Sequence, residues 1–372
     1  MTQTFITPTI IAKLAIPTLL NNLVFGNLVH KDYSAEFRKK GDTVRIRKPA
    51  TFTAIEFDGD LTGQFQEVVE SYLDIKMDHI LTVPWEVTTK QATLDVWGFH
   101  EQVVIPACEA LAQKVDTLLA GLYVDIPHFE NCETTSALSD IANVDKMAND
   151  LKWPNQNRYG VLSPLTKASF IVLDAFLHAE KRGDTQAIKD AALGRVFGID
   201  WLMSQNIPTH AIGTTDVAGT AAIAAAGVSS MLFSALGTGT LAKGTLFTIA
   251  GDTTQYVLTA AATIADNTAT VYFKPTLQVA TTAGTEVVTI NPAATTSKEN
   301  LVFHKNAFAM VTAPIEPPLG GATAANESYG GLSLQAIYSY NHLTFKNVCT
   351  LSILCGVKTL NDALALRLCD AS

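Results

Sequence analysis

AKGTLFTIAGDTTQYVLTAAATIADNTATVYFKP, residues 242–275, is the stretch whose reading decides the fold. Its side chains alternate: Leu246, Thr248 and Ala250 oppose Phe247 and Ile249, and Val271 and Phe273 repeat the pattern. A period of two belongs to β-strands, and the Ala-Gly-Asp and Ala-Asp-Asn breaks between runs are turn chemistry. The character extends over Ala211–Glu299, where 20 of 89 residues are Thr and 19 are Ala, and only eight carry charge. The flanks read differently, helical and Arg/Lys-bearing before it and long-stranded after it. A small antiparallel β-domain inserted into a larger α+β chain accounts for both. Its low charge marks it as a folding and stability module rather than a ligand site.

The chain has 372 residues, enough for two or three folding units with a real core. Net charge is −9, yet residues 1–50 carry eight basic side chains (Lys13, Lys31, Arg38, Lys39, Lys40, Arg45, Arg47, Lys48) against three acidic ones (Asp32, Glu36, Asp42), a net of +5. That asymmetry points one end toward an anionic partner, an acidic neighbouring subunit, or plain solvent. Five cysteines (Cys108, Cys132, Cys349, Cys355, Cys369) show no paired spacing, and buried thiols are the simplest reading. The apolar start IIAKLAIPTLLNNLVF is interrupted by Lys13, Pro17, Asn21 and Asn22 and lacks the basic lead of a signal peptide. With Thr7 as N-cap and Pro8 at the first helical position, it reads as an amphipathic arm whose Ile10, Ile11, Leu14 and Ala15 share a face.

After this arm, GDTVRIRKPATFTAIEF (41–57) and VVESYLDIKMDHI (68–80) flank a Gly/Asp-rich turn and form an extended hairpin. Two strands alone are marginal in water, so the ribbon needs something to pack on, such as a neighbouring subunit. FHEQVVIPACEALAQKVDTLLAGLY (99–123) carries the longest helical stripe, with Pro106 kinking it or marking its first turn. Residues 139–210 mix helices and short strands. LVFHKNAFAM (301–310) is strand-like, a Pro/Gly-rich loop runs from Pro314 to Gly331, and two paired strands close the chain.

Catalytic signals are weak. Gly237-Thr-Gly-Thr240 lacks the third glycine and the strand-to-helix setting of a dinucleotide loop, and reads as a hairpin turn. His128 and Cys132 have no second ligand pair for zinc. His304 reads as a satisfied structural histidine, and Asp58 and Asp60 as turn residues. Nothing gathers titratable groups into an active site, which weighs against an enzyme and calls for no cofactor or metal.

The order of segments resembles a known family. An arm leads to G-D-T-V-R-I-R-K-P and a long hairpin. A proline-bearing helix follows, then an α/β portion holding G-R-V-F-G-I-D-W-L-M-S-Q-N-I-P. Next come the β-insert, N-L-V-F-H-K-N-A-F-A-M, and a strand pair ending C-G-V-K-T-L. This is similar to the major capsid (coat) proteins of tailed bacteriophages with the Hong Kong 97 fold, in the P-twenty-two-like branch that carries an inserted β-barrel. The resemblance implies an N-arm at 1–43 and an extended loop at 44–92. It implies a peripheral domain with its spine helix at 93–134 and 317–372, an axial domain at 135–210 and 300–316, and the insertion domain at 211–299. It further implies self-assembly into hexamers and pentamers of an icosahedral shell around double-stranded DNA, located in the virion after assembly in the host cytoplasm. A portal protein and an optional decoration protein are implied partners. The absence of a long charged leader before the arm implies a separate scaffolding protein. Arg38, Lys39, Lys40, Arg45, Arg47 and Lys48 become candidate DNA-facing or intersubunit residues. Lys48 and Asn347 offer no ground for a covalent cross-link. The competing readings are an encapsulin-like compartment, a β-rich surface protein, and a soluble enzyme.

Overall fold

The structure is a computed structural model that describes residues 8–31, 43–48, 54, 56, 65–68, 71–88, 103–132, 137–177, 190–213, 218–282, 284–291, 296–318 and 322–371. The chain is a mixed α+β protein in two compact units: residues 1–17, 31–108 and 310–360 form one, and residues 18–30, 109–309 and 361–372 the other.

The arm opens with α1 (Pro8–Asn22), followed by the single turn α2 (Phe25–Leu28). The buried face of α1 is Ile11, Ala12, Ala15, Ile16 and Leu19, while Ile10 and Leu14 are exposed. The apolar stripe is thus turned by one residue from the expected face, because Ala12 and Ile16 continue it at helical spacing and Lys13 excludes its own side. Next come β1 (Thr43–Lys48), β2 (Ser71–Lys76) and β3 (His79–Thr88). β1 and β2 pair antiparallel from Thr43↔Lys76 to Lys48↔Ser71, which makes the two-stranded ribbon the alternation called for. Ile75 is fully buried on one face, and Tyr72, Asp74 and Lys76 are exposed on the other. The hairpin-tip residues Asp58 and Asp60 lie outside the described residues.

The long helical stripe becomes α3 (Ile105–Ala120), prolonged by a 3-10 turn over Gly121–Asp125. Pro106 occupies its first turn, where its missing N–H costs nothing. β4 (Phe129–Cys132), α4 (Leu138–Asp150) and β5 (Arg158–Leu162) follow. α5 (Pro164–Ile171) is capped by Ser163, whose side chain accepts from the Thr166 N–H at 3.2 Å, with Pro164 in the first turn. α6 (Asp174–Leu177), β6 (Gly194–Val196), β7 (Ile199–Met203) and β8 (Thr209–Ala211) complete this portion.

Eight short strands then appear: β9 (Ala218–Ala221), β10 (Ser230–Ser234), β11 (Gly239–Leu241), β12 (Leu246–Ile249), β13 (Tyr256–Leu258), β14 (Ala262–Ile264), β15 (Ala269–Lys274) and β16 (Glu286–Asn291). Six of them close into a barrel in the order β10-β15-β13-β12-β16-β9, while β11 and β14 pair separately. Inside, Phe233, Phe247, Tyr256 and Phe273 stack and cross edge-to-face at centroid distances of 5.1–5.6 Å. Such geometry adds to the area these rings bury. The Gly237–Thr240 segment is not a hairpin turn. It carries the chain from β10 to β11, strands that pair with others, because barrel closure takes both edges of β10.

Beyond the barrel run β17 (Thr296–His304), a 3-10 turn at Lys305–Ala307, β18 (Phe308–Ala313), β19 (Ala322–Tyr329), β20 (Leu332–Asn341), β21 (Lys346–Thr359) and β22 (Ala365–Ala371). β19 corrects the expectation of a loop up to Gly331. Its polar, Ala-rich sequence carries little strand propensity, and the ladder to β20, register Ala322↔Ser339 through Tyr329↔Leu332, supplies the order instead. Gly330 and Gly331, both at positive φ (61° and 77°), make the two-residue turn that this hairpin needs.

Each unit has its own sheet. In one, β3 and β18 both pair with β21, and β20 and β19 extend beyond it. In the other, the order is β4-β22-β17-β5-β7-β6, with β8 also paired to β17. The last strand of the chain, β22, therefore lies in the interior of its sheet, antiparallel to β17 and parallel to β4. α4 to α6 cover this sheet through Ile141, Val144, Ala148, Phe170 and Phe176, packed with Trp153, Val302, Leu366 and Leu368. Residues 18–30 belong to the same unit: the buried Asp116 carboxylate accepts from the Val24 and Gly26 N–H groups, and Phe25 stacks on Phe303.

Candidate functional site

Where the barrel meets its sheet, a joint is built from residues distant in sequence. Leu246 and Val257 lie on the outer face of the barrel wall. Both are buried against Phe129 of β4 and Cys369 of β22. Around this apolar patch, Gln255 reaches from the barrel to β4. It accepts from the Phe129 N–H at 2.9 Å and donates to the Phe129 carbonyl at 2.7 Å, as a neighbouring strand would. Asn131 donates to Asn291, and Lys274 sits 3.6 Å from Asp362.

At the centre is a buried ion pair. Arg367 of β22 donates from Nε to Glu299 of β17 at 2.7 Å, and both side chains are 0% exposed. The guanidinium also donates from Nη1 to the Gly244 carbonyl of the barrel at 2.6 Å and lies 4.9 Å from the centre of the Tyr123 ring. Glu299 accepts further hydrogen bonds from Ser297 and from the Cys369 thiol. Burial alone would raise the Glu299 carboxyl, but the Arg367 charge and hydrogen bond, with Ser297, outweigh it and hold the group below its ordinary value. A charge pair this deep depends on its hydrogen bonds, which are made at Arg367 Nε and Nη1 but not at its buried Nη2; removing one member strands the other. Gly244 itself has φ +88°, and a Cβ there would lie 2.9 Å from Val124. Only glycine lets the barrel loop come this close.

His210 of β8 completes the joint. Its Nδ1 is 3.0 Å from the Tyr123 hydroxyl and its Nε2 3.2 Å from Thr245 Oγ1. Burial, then the nearby Arg367 charge, lowers it to about 4, against a smaller opposing pull from Glu299.

The residues singled out by sequence lie elsewhere. Arg38, Lys39 and Lys40 fall outside the described residues. Arg45 is exposed on β1 and holds Asp74 across the ribbon (2.9 and 3.3 Å), with its guanidinium 5.6 Å from the Tyr72 ring. That hydrogen bond raises Arg45 and lowers Asp74. Arg47 and Lys48 occupy β1 opposite Tyr72 and Ser71. Asn347 lies in β21 between Tyr340 and Val87. His304 is buried, and its Nδ1 accepts from the Asn306 N–H, the satisfied structural histidine expected. His128 gives its backbone carbonyl to the Arg367 N–H. Among the described residues, no three His, Cys, Asp or Glu side chains gather as a metal site. Cys108, Cys349, Cys355 and Cys369 are buried thiols, and burial pushes Cys349 and Cys355 up to about 11 and 12. Arg367, Tyr123 and His210 escaped the sequence reading. The signal present was a charge set inside the apolar run A-L-R-L-C, and a Glu at the head of E-N-L-V-F.

The chain is of mixed α+β class with a closed six-stranded barrel, a fold similar to that of a solved phage structure. A solved structure from Mycobacterium phage Che8 is similar over 93% of this chain and 90% of its own, with a TM-score of 0.53 at 13% identity. The capsid of cyanophage P-SCSP1u is similar over 94% of this chain and 88% of its own (TM-score 0.49, 13% identity). The mature capsid of bacteriophage PhiM1 is similar over 89% and 83% (TM-score 0.49, 12% identity). No family model matches the chain, and no curated protein matches it in sequence. Among the described residues, no helix is long and apolar enough to cross a membrane.

Proposed function

We propose that this chain is the major capsid protein of a tailed phage, a structural subunit that assembles into an icosahedral shell around double-stranded DNA. The observation that carries the reading is a fold shared with a phage protein over 93% of the chain. The molecule's own surface supports it. Phe65 and Val68, just before β2, are 84% and 62% exposed, and Leu343 and Phe345, at the β20–β21 turn, are 80% and 67% exposed. Apolar groups at the tips of ribbons and hairpins suit a subunit whose edges are covered by neighbours. The joint beneath the barrel suits a structural role as well: Glu299 and Arg367 are spent on each other, with no exposure left for a substrate.

The finer assignment is the Hong Kong 97 type. In this reading residues 1–43 are the arm, 44–92 the extended loop, 93–134 with 317–372 the peripheral domain, 135–210 with 300–316 the axial domain, and 211–299 the insertion domain. Its partners are further copies of the chain in pentamers and hexamers, a scaffolding protein, a portal protein, DNA held without sequence preference and, in some shells, a decoration protein. The protein passes from host cytoplasm to virion. The basic residues Arg38, Lys39, Lys40, Arg47 and Lys48 line a DNA-facing or intersubunit surface, whereas Arg45 braces its own ribbon. Co-expression with a scaffolding protein, followed by cryo-electron microscopy, tests this. Closed icosahedral shells are expected. A persistently small soluble oligomer contradicts the proposal, and shells that enclose enzyme cargo instead of DNA shift it to an encapsulin-like compartment.

A further inference from the structure

The hydrogen bonds around His210 have a fixed direction. The Thr245 hydroxyl donates to the Ala242 carbonyl at 2.8 Å, so toward His210 Nε2 it acts as acceptor and Nε2 carries the hydrogen. Nδ1 is then bare and accepts from the Tyr123 hydroxyl. The Tyr123 ring in turn holds the Arg367 guanidinium, which grips the Gly244 carbonyl. A relay thus leaves the barrel loop at Ala242–Thr245, passes through His210, Tyr123 and Arg367, and returns to the same loop at Gly244. In this arrangement the imidazole is neutral, with its hydrogen on Nε2. A second proton on Nδ1 would force the Tyr123 hydroxyl to turn from donor to acceptor and would place a cation near Arg367.

We propose that this relay is an acid-sensitive latch: protonation of His210 releases the barrel from the sheet while the barrel itself stays closed. The charged and titratable groups facing His210 are Tyr123, Arg367, Glu299 and, beyond Glu299, Cys369. Arg367 opposes the imidazolium; Glu299 favours it, but is already bound to Arg367, Ser297 and the Cys369 thiol. Latched, the imidazole is lowered to about 4; released, it returns to its ordinary 6.5. The released state therefore binds the extra proton. The latched state is little affected above pH 6.5, loses up to about tenfold in population ratio per pH unit below it, and about 160-fold by pH 4.

Amide exchange on the full chain, corrected for the intrinsic pH dependence, reads this directly. The Phe129 N–H is held by Gln255 of the barrel, whereas Val271 and Phe273 lie in the barrel wall. Between pH 7 and 4, protection at Phe129 should fall steeply while Val271 and Phe273 hold. His210→Gln, neutral throughout and able to donate and accept, should flatten the Phe129 profile. The rim pairs Lys274–Asp362 and Lys243–Asp125 remain in that variant. An unchanged profile in His210→Gln therefore assigns the effect to the rim carboxylates and overturns the latch, as does a flat wild-type profile. Should the variant misfold, the His210 ring resonances of the wild type decide: a midpoint below 6 that coincides with the loss of Phe129 protection supports the latch, and a midpoint above 6, or a titration that leaves Phe129 protected, overturns it.

Discussion

The β1–β2 ribbon and the barrel are both antiparallel sheet, and both show a clean two-residue period, yet they stand at opposite ends of self-sufficiency. The barrel closes on itself, leaves none of its six strands with a bare edge, and fills its inside with four interlocked aromatic rings. The ribbon has two strands, one fully buried side chain among those described (Ile75), and a cross-strand pair, Arg45–Asp74, that stays in water. Alternation tells which face is apolar. It does not tell what that face will meet. In the barrel the answer is the rest of the barrel; at Ile75 of the ribbon it is Gly356 of β21, and for the remainder of the ribbon the proposed answer is another copy of the chain.

Four single substitutions and one double replacement can break or sharpen this contrast. The largest effect should come from Arg367→Ala, which leaves Glu299 buried and unpaired: about 3–5 kcal/mol lost by urea unfolding of the full chain. Replacing both partners together, Arg367→Met with Glu299→Leu, should recover most of that loss. Phe247→Ala opens the aromatic core of the barrel and should cost at a similar level, about 3–5 kcal/mol, measured the same way. Gly244→Ala forces a side chain into a positive φ against Val124, with an expected cost of about 1–3 kcal/mol and loss of Phe129 amide protection. The smallest effect belongs to Arg45→Ala. The unassembled chain should unfold at an unchanged urea concentration, because the pair is exposed and screened. A clear destabilisation there would make the ribbon as self-reliant as the barrel.

Much of this was legible in the sequence, for reasons that differ by region. Val271 and Phe273 point inward because strand alternation is local, and local patterns survive in sequence. Pro106 marks a helix start for the same reason. Leu246 and Val257 were readable as strand residues but not as the docking face, since that depends on Phe129 and Cys369 more than 100 residues away. β19 hid in a Pro/Gly-rich segment because its order comes from β20 and not from its own side chains. Arg367 hid most completely. Its partners Glu299, Gly244 and Tyr123 come from three separate stretches, and only the insertion of the last strand between β4 and β17 brings them together.

The contrast between the two regions is tested most directly by amide exchange on the same chain before and after shell assembly. The account predicts that the barrel amides of Val271 and Phe273 are protected in both states. The ribbon amides of Thr43–Lys48 and Ser71–Lys76 should exchange quickly in the unassembled chain and slow by at least about a hundredfold once neighbours cover them. Ribbon amides equally protected in both states, or equally unprotected in both, would contradict it.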